Sequence, residues 1–445
     1  MRPTVLIVVL VTAALGAAAP AFAQFQPPRL RNERPQRGLF GSGLSNTEQN
    51  LVLNVSFGGG YGNDLTGQQT IGGVTPLGPR GFGQFGFGSA GLTYSVSRKA
   101  VQASANVGGT TQYYPEMQDP SMHSLGAGAQ VSWHMAQATR LSASTQVSAQ
   151  PNNLRSFYGL PVDAERPPDS TDTLDYAISG GSYSDWRNSV GFHQGLTDTL
   201  SADVGYTFYA IDYGNQQSNY AAHSLTGRLS YQINKSLSAY GGYGRTITDY
   251  EDDHLDGRYG GGTIDAGVVF GQAVSLTRRT SLSFSTGVSG VESGDQVSYL
   301  FTGNVSVNHE IGRSWTLTAG ARRSADFYQS FGEPVISTSA STGVSGLLNR
   351  RFQVGAQAGW SRGTVGLSAL VPEFDSWTAG ASMRAAVSRD AGLSFSYSIF
   401  RYVYEDNGAP LPFGTQPEMW NQSARVTFDW MLPLINIARR ADASR

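Results

Sequence analysis

A strictly alternating pattern runs through the segment Leu200-Ser201-Ala202-Asp203-Val204-Gly205-Tyr206-Thr207-Phe208. Every second residue of this segment is apolar, and the residues between them are small, hydroxylated or charged. Successive side chains of a β-strand point to opposite faces, so the pattern predicts a strand with one apolar and one polar face. A strand of about 9 to 11 residues is also long enough to cross a membrane in a β-barrel.

The same period of two recurs from Leu51 almost to the end of the chain, and no segment of comparable length has the 3.6-residue period of a helix. Counting the alternating segments predicts about 18 strands, within a range of 16 to 20. The least regular segments lie near 83–97, where the alternation changes parity around Ser89, and near 335–348. The expected fold class is therefore all-β.

Composition narrows the class of protein. The chain has 445 residues, of which 14% are charged and 40% hydrophobic, and its mean hydropathy is -0.24. A helical membrane protein is excluded because each span needs about 20 nearly uninterrupted apolar residues. Disorder is disfavoured by 11% aromatic residues and a net charge of only -2. A pI near 6.3 argues against a nucleic-acid partner, because proteins that bind nucleic acids usually carry an excess of basic residues.

The N-terminus carries a targeting signal. Arg2 is followed by a mostly apolar stretch from Val5 to Ala19 and then by Ala21-Phe22-Ala23, which predicts signal-peptide cleavage between Ala23 and Gln24. The expected organisation is a signal peptide at 1–23, a Pro/Arg-rich periplasmic leader at 24–50, a barrel at 51–432 and a periplasmic tail at 433–445. The absence of Cys excludes disulfides and thiol chemistry.

The lengths of the connections favour a transmembrane barrel over a soluble sandwich. Short polar turns such as Ala136-Gln137 and Asn234-Lys235 alternate with longer irregular stretches such as 61–83 and 150–178. Outer-membrane barrels have this arrangement, with the short turns in the periplasm. Bulky residues recur beside the short turns and predict an aromatic girdle at that membrane interface: Tyr94, Trp133, Phe192, Tyr231, Trp315, Phe352 and Leu393.

The segment Ser423–Trp430, with its spaced aromatic residues Phe428 and Trp430, resembles the last strand of Gram-negative outer-membrane β-barrels of the porin-like kind. The resemblance covers Leu51 to Trp430 and implies that Phe428 and Trp430 form the signal read by the barrel-assembly machinery. It further implies contact with outer-membrane lipid and lipopolysaccharide. The chain departs from the pattern in having Arg425 where glycine is usual and in continuing to Arg445. Barrels that accompany polysaccharide secretion systems are a second similar group.

No residue pattern indicates catalysis, a cofactor or a metal. Gly81-Phe82-Gly83-Gln84-Phe85-Gly86 has the spacing of a dinucleotide-binding loop, but β alternation follows it where a helix is required. The six histidines occur singly, without the spacing of a metal site.

The expected lumen is lined by Ser, Thr, Gln, Asn and Gly, with isolated charges at Asp203, Arg228 and Arg322. Such a lining suits passive passage of small neutral hydrophilic solutes such as sugars. The long connection at 150–178 is the candidate constriction loop, with Arg155, Tyr158, Asp163, Glu165, Arg166 and Asp169.

Two other functions stay open. One is the outer-membrane conduit of an exopolysaccharide export system, in which the leader docks a periplasmic partner through Arg29, Arg31, Arg34 and Arg37. The other is a structural or surface-interaction barrel without an open pore. The oligomeric state is not indicated by the sequence.

Overall fold

Eighteen β-strands form one sheet. A computed structural model of the protein describes residues 47–62, 83–98, 100–115, 121–150, 183–212, 219–251, 257–273, 279–293, 296–312, 314–328, 333–365, 373–405 and 418–438. The strands are β1 (Thr47–Gly62), β2 (Gly83–Ser97), β3 (Val101–Tyr113), β4 (Ser121–Ala136), β5 (Thr139–Gln150), β6 (Tyr183–Gly195), β7 (Leu200–Asp212), β8 (Asn219–Gln232), β9 (Leu237–Glu251), β10 (Gly257–Ala273), β11 (Thr280–Ser293), β12 (Gln296–Ile311), β13 (Trp315–Tyr328), β14 (Glu333–Leu347), β15 (Phe352–Val365), β16 (Glu373–Ala386), β17 (Ala391–Glu405) and β18 (Glu418–Ala438).

The sheet closes on itself. Each strand pairs antiparallel with its neighbours in sequence, and β1 pairs with both β2 and β18. Closure leaves no strand edge without a hydrogen-bonding partner, which is the condition for a sheet to stand in lipid. The predicted all-β barrel of about 18 strands is thus confirmed. No helix among the described residues is long and apolar enough to span a membrane.

The boundaries of the barrel differ slightly from those expected. β1 begins at Thr47 rather than at Leu51, and β18 continues to Ala438 rather than ending at 432. The extra pairing runs from Thr47 with Ala438 to Asn50 with Asn436. One irregularity in the register lies within it, between Thr47 and Gln49, and a second follows between Leu51 and Val52. The signal peptide and almost all of the leader lie outside the described residues, as does the end of the predicted tail.

The connections define two rims. The short-turn rim contains the connections 98–100, 137–138, 196–199, 233–236, 274–279, 312–314, 348–351 and 387–390, together with both chain ends of the barrel. The opposite, long-loop rim has the long connections 63–82, 151–182 and 406–417. It also has a two-residue connection, 294–295, between β11 and β12. By the rule for outer-membrane barrels the short-turn rim is expected to be the periplasmic one.

The outer face of the barrel is apolar and ends in two aromatic girdles. Near the short-turn rim, six of the predicted girdle residues are exposed on the outer face: Tyr94, Trp133, Phe192, Tyr231, Phe352 and Leu393. Trp315 is partly exposed. A second set of exposed aromatic residues lies near the long-loop rim: Tyr61, Tyr113, Trp186, Tyr299, Trp377 and Trp420. An apolar band between two aromatic girdles is the outer surface of a transmembrane barrel.

The parity change in the strand near 83–97 has a structural cause. β2 pairs with β1 without a bulge, from Gly62 opposite Gly83 to Gln49 opposite Val96. Leu92 and Tyr94 therefore face outward with Leu53 and Leu51, whereas Phe85 lies opposite Gly60 and faces inward. The alternation is continuous, and its polarity changes because the inner face becomes aromatic near the long-loop rim.

Candidate functional site

The inner wall of the barrel carries the polar set of each strand, as the sequence predicts. Hydroxyl groups meet across strands at Ser144–Ser189 (3.0 Å), Ser283–Ser306 (2.6 Å) and Ser361–Ser376 (2.6 Å). These contacts provide hydrogen-bond partners for part of the polar inner wall within the sheet itself.

Two of the three charges that the sequence predicts to be isolated, Asp203 and Arg228, lie beside other charged residues, which corrects the expectation for them. His134 lies opposite Arg140, Arg140 opposite His193, and His193 opposite Asp203. The series continues because Asp203 lies opposite Arg228, Arg228 opposite Gly242, and Gly242 opposite Asp265. These seven directly opposed residues on β4 to β10 form what is called here the charged row.

The charged row climbs the wall obliquely. Its residues lie side by side across strands that are about 4.8 Å apart, so six steps from His134 to Asp265 make about 29 Å. Strands of transmembrane barrels tilt by about 35–45°, so the row rises by about 18 Å along the barrel axis. It starts near the short-turn rim at His134 and reaches the middle of the wall at Asp265.

Asp203 stands between a histidine and an arginine. Nδ1 of His193 lies 2.7 Å from Oδ1 of Asp203, the distance of a hydrogen bond in which the imidazole donates. Oδ2 of Asp203 is buried and has no hydrogen-bond partner among the described residues. A buried carboxylate oxygen without a donor is costly, and the residue directly opposite Asp203, Arg228, carries the opposite charge.

Arg228 reaches over Gly242 to Asp265. Nη2 of Arg228 lies 2.6 Å from Oδ2 of Asp265, and the two side chains are only 23% and 25% exposed. A Cβ at Gly242 would come within 2.5 Å of Oδ1 of Asp265. Glycine at this position therefore leaves the space in which the arginine and the aspartate meet.

Tyr240 supports the arginine from the next position on β9. The guanidinium carbon of Arg228 is 4.4 Å from the centroid of the Tyr240 ring, within cation–π distance. The Tyr240 hydroxyl lies against Gly267 and Gly287, where an added Cβ would be 2.8 and 3.0 Å away. A planar ring below and a carboxylate beside the guanidinium hold the orientation of Arg228 at mid-height of the wall.

The signs in the row compensate one another. Arg140, Asp203, Arg228 and Asp265 carry two positive and two negative charges along one wall. Opposite charges on adjacent strands are about 5 Å apart, which is shorter than the Debye length of about 8 Å at physiological salt. A solute at the wall therefore meets local charges of both signs and no ring of one sign.

The inner wall near the long-loop rim is aromatic, which sequence reasoning did not predict. Three groups of inward-facing residues are involved: Phe85, Phe87 and Tyr114; Tyr183, Tyr209, Ile211 and Tyr220; and Phe374, Phe400 and Tyr402. Two arginines lie over these rings, Arg187 above Tyr209 at 4.9 Å and Arg425 above Phe85 at 5.4 Å.

A signal for these inward aromatic residues does exist in the sequence. Pairs of adjacent large apolar residues break the alternation near the strand ends, as in Ile399-Phe400 and Phe208-Tyr209. In such a pair one residue must face the lumen, because successive strand residues point to opposite faces. Arg425 also belongs to this inner wall. Its side chain faces inward and lies over the ring of Phe85, which accounts for an arginine at this position of the last strand.

The predicted site residues fall in three places. Those of the candidate constriction loop and of the leader lie outside the described residues. Phe428 and Trp430 lie on the outer face where the barrel closes: the ring centroid of Phe428 is 5.2 Å from that of Phe57, and Trp430 is opposite Val55. Their role as an assembly signal stays a prediction. No group of three His, Asp or Glu residues within the described part of the chain is arranged to hold a metal ion.

Comparison with known proteins gives structural similarity only. No protein-family model matches the chain, and no curated protein matches its sequence. A BenF-like porin from Pseudomonas fluorescens Pf-5 superimposes with a TM-score of 0.44 at 12% identity, covering 88% of this chain and 100% of that one. OccK11 (OpdR) from Pseudomonas aeruginosa has a TM-score of 0.43 at 9% identity, covering 89% and 100%. The siderophore receptor PirA from the same species has 0.40 at 9%, covering 86% and 80%.

The architecture of the chain is that of an outer-membrane β-barrel. The sheet is closed, its outer face is apolar, and exposed aromatic residues border that face at both rims. These three features together are those of a barrel embedded in the outer membrane.

Proposed function

We propose that the barrel is a passive channel for small polar solutes, with neutral hydrophilic compounds such as sugars as the preferred class. The observation that carries this proposal is the charged row, whose arginines and aspartates compensate one another within a wall of hydroxyl and amide groups. Strong ion selectivity needs rings of one charge, whereas hydroxylated solutes exchange hydrogen bonds with a mixed polar wall.

Planar-bilayer recording and liposome swelling test the channel. The full-length mature barrel is expected to conduct in KCl with no strong preference for K⁺ or Cl⁻, and to admit small sugars at rates that fall with solute size. A barrel that gives no conductance, or that passes only ions of one sign, would contradict the proposal. N-terminal sequencing of the exported protein tests the proposed cleavage between Ala23 and Gln24.

The connection at 150–178 is proposed to constrict the lumen. This connection joins β5 to β6. On the neighbouring strands β7 and β8, Ile211 and Tyr220 face inward and are each only 4% exposed, which supports the proposal. Large apolar side chains on a channel wall are stable when they are covered. Deletion of 156–172 is therefore expected to raise the single-channel conductance, and an unchanged conductance would place the loop outside the permeation path.

An export conduit is the second candidate. It is favoured by the position of β1, which begins at the short-turn rim, so the leader joins the barrel on its proposed periplasmic side. Substitution of Arg29, Arg31, Arg34 and Arg37 by glutamine is expected to abolish polysaccharide export if the leader docks a periplasmic partner. The amount of folded barrel and its conductance serve as controls. Unchanged export by this variant would count against the conduit.

A barrel without an open pore is the third candidate. The buried aromatic groups near the long-loop rim favour it, because they place apolar side chains rather than water-binding groups on the inner wall. The absence of conductance in both the complete chain and the 156–172 deletion would support this function.

A further inference from the structure

The outer face of the barrel has a charged patch where a lipid-facing surface is expected to be apolar. It lies on β13 to β18, on the long-loop side, and we call it the outer charged patch: Arg323, Arg362, Glu373, Asp375, Arg401, Glu405 and Glu418. The register fixes its position on the outer face, since Thr338 lies opposite both Arg323 and Arg362, and Arg362 lies opposite Asp375. Among the other side chains that the structure describes on this face near the rim, the charged ones are Asp212, Arg245 and Asp249.

The patch is an organised network rather than a set of separate charges. Nη2 of Arg362 lies 2.8 Å from Oε2 of Glu373 and 3.4 Å from Oε1 of Glu405. Arg401 contacts Oε1 of Glu418 through Nη2 at 3.0 Å and Nε at 3.2 Å. The Arg362 and Arg401 side chains remain about half exposed, at 50% and 49%. Their guanidinium groups therefore keep surface for a further anionic ligand.

A row of tryptophans marks the depth of the patch in the membrane. Trp360 lies opposite Trp377, Trp377 opposite Arg401, and Arg401 opposite Trp420. Tryptophan concentrates at the boundary between hydrocarbon and headgroups. The remaining charges of the patch lie at this boundary or on its long-loop side, which is the outer leaflet if the short-turn rim is periplasmic. Arginine facing lipid costs about 2–4 kcal/mol at mid-membrane but about 0–1 near an interface, so this depth is compatible with the charges.

We infer that the outer charged patch binds the phosphorylated glycolipid of the outer leaflet, through the diphosphorylated sugar head of lipopolysaccharide. Arg323 and Arg362 are two strands apart, about 10 Å, and both point outward, so two phosphate groups of one head can be contacted together. Guanidinium groups bind phosphate in a bidentate manner. The carboxylates of the patch bind the divalent cations that link neighbouring phosphates.

The composition of the patch fits a headgroup better than a second copy of the chain. The centres of protein interfaces are depleted of charged residues. In the patch, arginine and carboxylate side chains outnumber the tryptophans, and Glu405 and Glu418 are 52% and 57% exposed. In a layer of headgroups, phosphates can pair with the arginines of the patch and divalent cations can pair with its carboxylates. This inference rests on the outer-membrane location and is independent of whether the lumen conducts.

Native mass spectrometry of the full-length barrel tests the site, with purified diphosphoryl lipid A as the probe. The wild-type barrel is expected to bind diphosphoryl lipid A at least tenfold more tightly than the monophosphoryl form, which corresponds to about 1.4 kcal/mol. The R323Q/R362Q/R401Q variant is expected to lose this preference. R245Q, which removes an outward-facing arginine on β9, is the matched control and is expected to keep it.

Several results would overturn the inference. These are equal affinity of the wild type for the two forms of lipid A, equal losses in R245Q and the triple variant, or a dimer that the triple variant disrupts while lipid A binding persists. If the triple variant does not fold, the comparison of the two lipids on the wild type and on R362K still decides, since lysine keeps the charge and loses the bidentate contact. Loss of the channel activity without a change in lipid A binding would leave this site intact.

Discussion

Replacement of Arg228 by glutamine is expected to make the proposed channel prefer cations. The substitution leaves Arg140 as the only arginine beside Asp203 and Asp265 in the charged row, so the row gains one net negative charge. A unit charge about 5 Å from the path of an ion changes its energy by about 0.8 kcal/mol in water, or about fourfold in local partition. The reversal potential in a KCl gradient across a planar bilayer measures the shift.

The double variant R228Q/D265N is the matched control. It removes both members of the ion pair, so the row returns to zero net charge and the reversal potential is expected to return close to the wild-type value. R245Q, whose side chain lies on the outer face, is expected to have no effect. A shift in R245Q equal to that in R228Q would show that the row does not set the local charge of the lumen.

Substitution of Gly242 by alanine is expected to destabilise the barrel by about 1–3 kcal/mol, the cost of leaving buried charged groups without their hydrogen bond. The new Cβ would lie 2.5 Å from Oδ1 of Asp265 and 3.1 Å from the Gly227 carbonyl oxygen, so Asp265 has to move away from Arg228. Both side chains of this pair are mostly buried, so solvent does not replace the contact fully. Unfolding in urea, followed by tryptophan fluorescence in lipid, measures the loss.

Gly241 provides the control for this experiment. It is the adjacent residue of β9, faces outward, and has no atom within 4 Å of an added Cβ. Alanine at Gly241 is expected to be neutral or slightly stabilising, because glycine in a strand loses more conformational entropy on folding. Equal losses of stability in the two variants would mean that the contact between Arg228 and Asp265 contributes little.

The architecture was predictable because its signals are local. The alternation in Leu200–Phe208 depends only on neighbouring residues. In the structure β7 begins at Leu200, and its apolar residues Val204 and Tyr206 are exposed on the outer face, as the alternation predicts. The short polar turns and the bulky residues beside them likewise need no knowledge of distant contacts. Six of the seven predicted girdle residues are exposed on the outer face, and Trp315 is partly exposed.

The chemistry of the inner wall was predictable only in part. The alternation places Asp203 and Arg228 on the inner face, and they do lie there opposite each other. It also led to a polar lumen throughout, whereas Phe374 and Tyr402 face inward and stack at a centroid distance of 5.8 Å. An apolar side chain on a strand fits either face of a barrel where packing covers it, so hydropathy alone does not assign the face.

The alternation along the chain was sufficient to predict a transmembrane sheet of about 18 strands with a mostly polar inner face, because strand period and membrane thickness act on each segment separately. The alignment of His193, Asp203, Arg228 and Asp265 into one row depends on the register of β6 to β10. A shift of one residue in any of these pairings would send a charge to the outer face. The register follows from hydrogen bonds and side-chain packing across strands, and only the folded barrel brings those distant residues together.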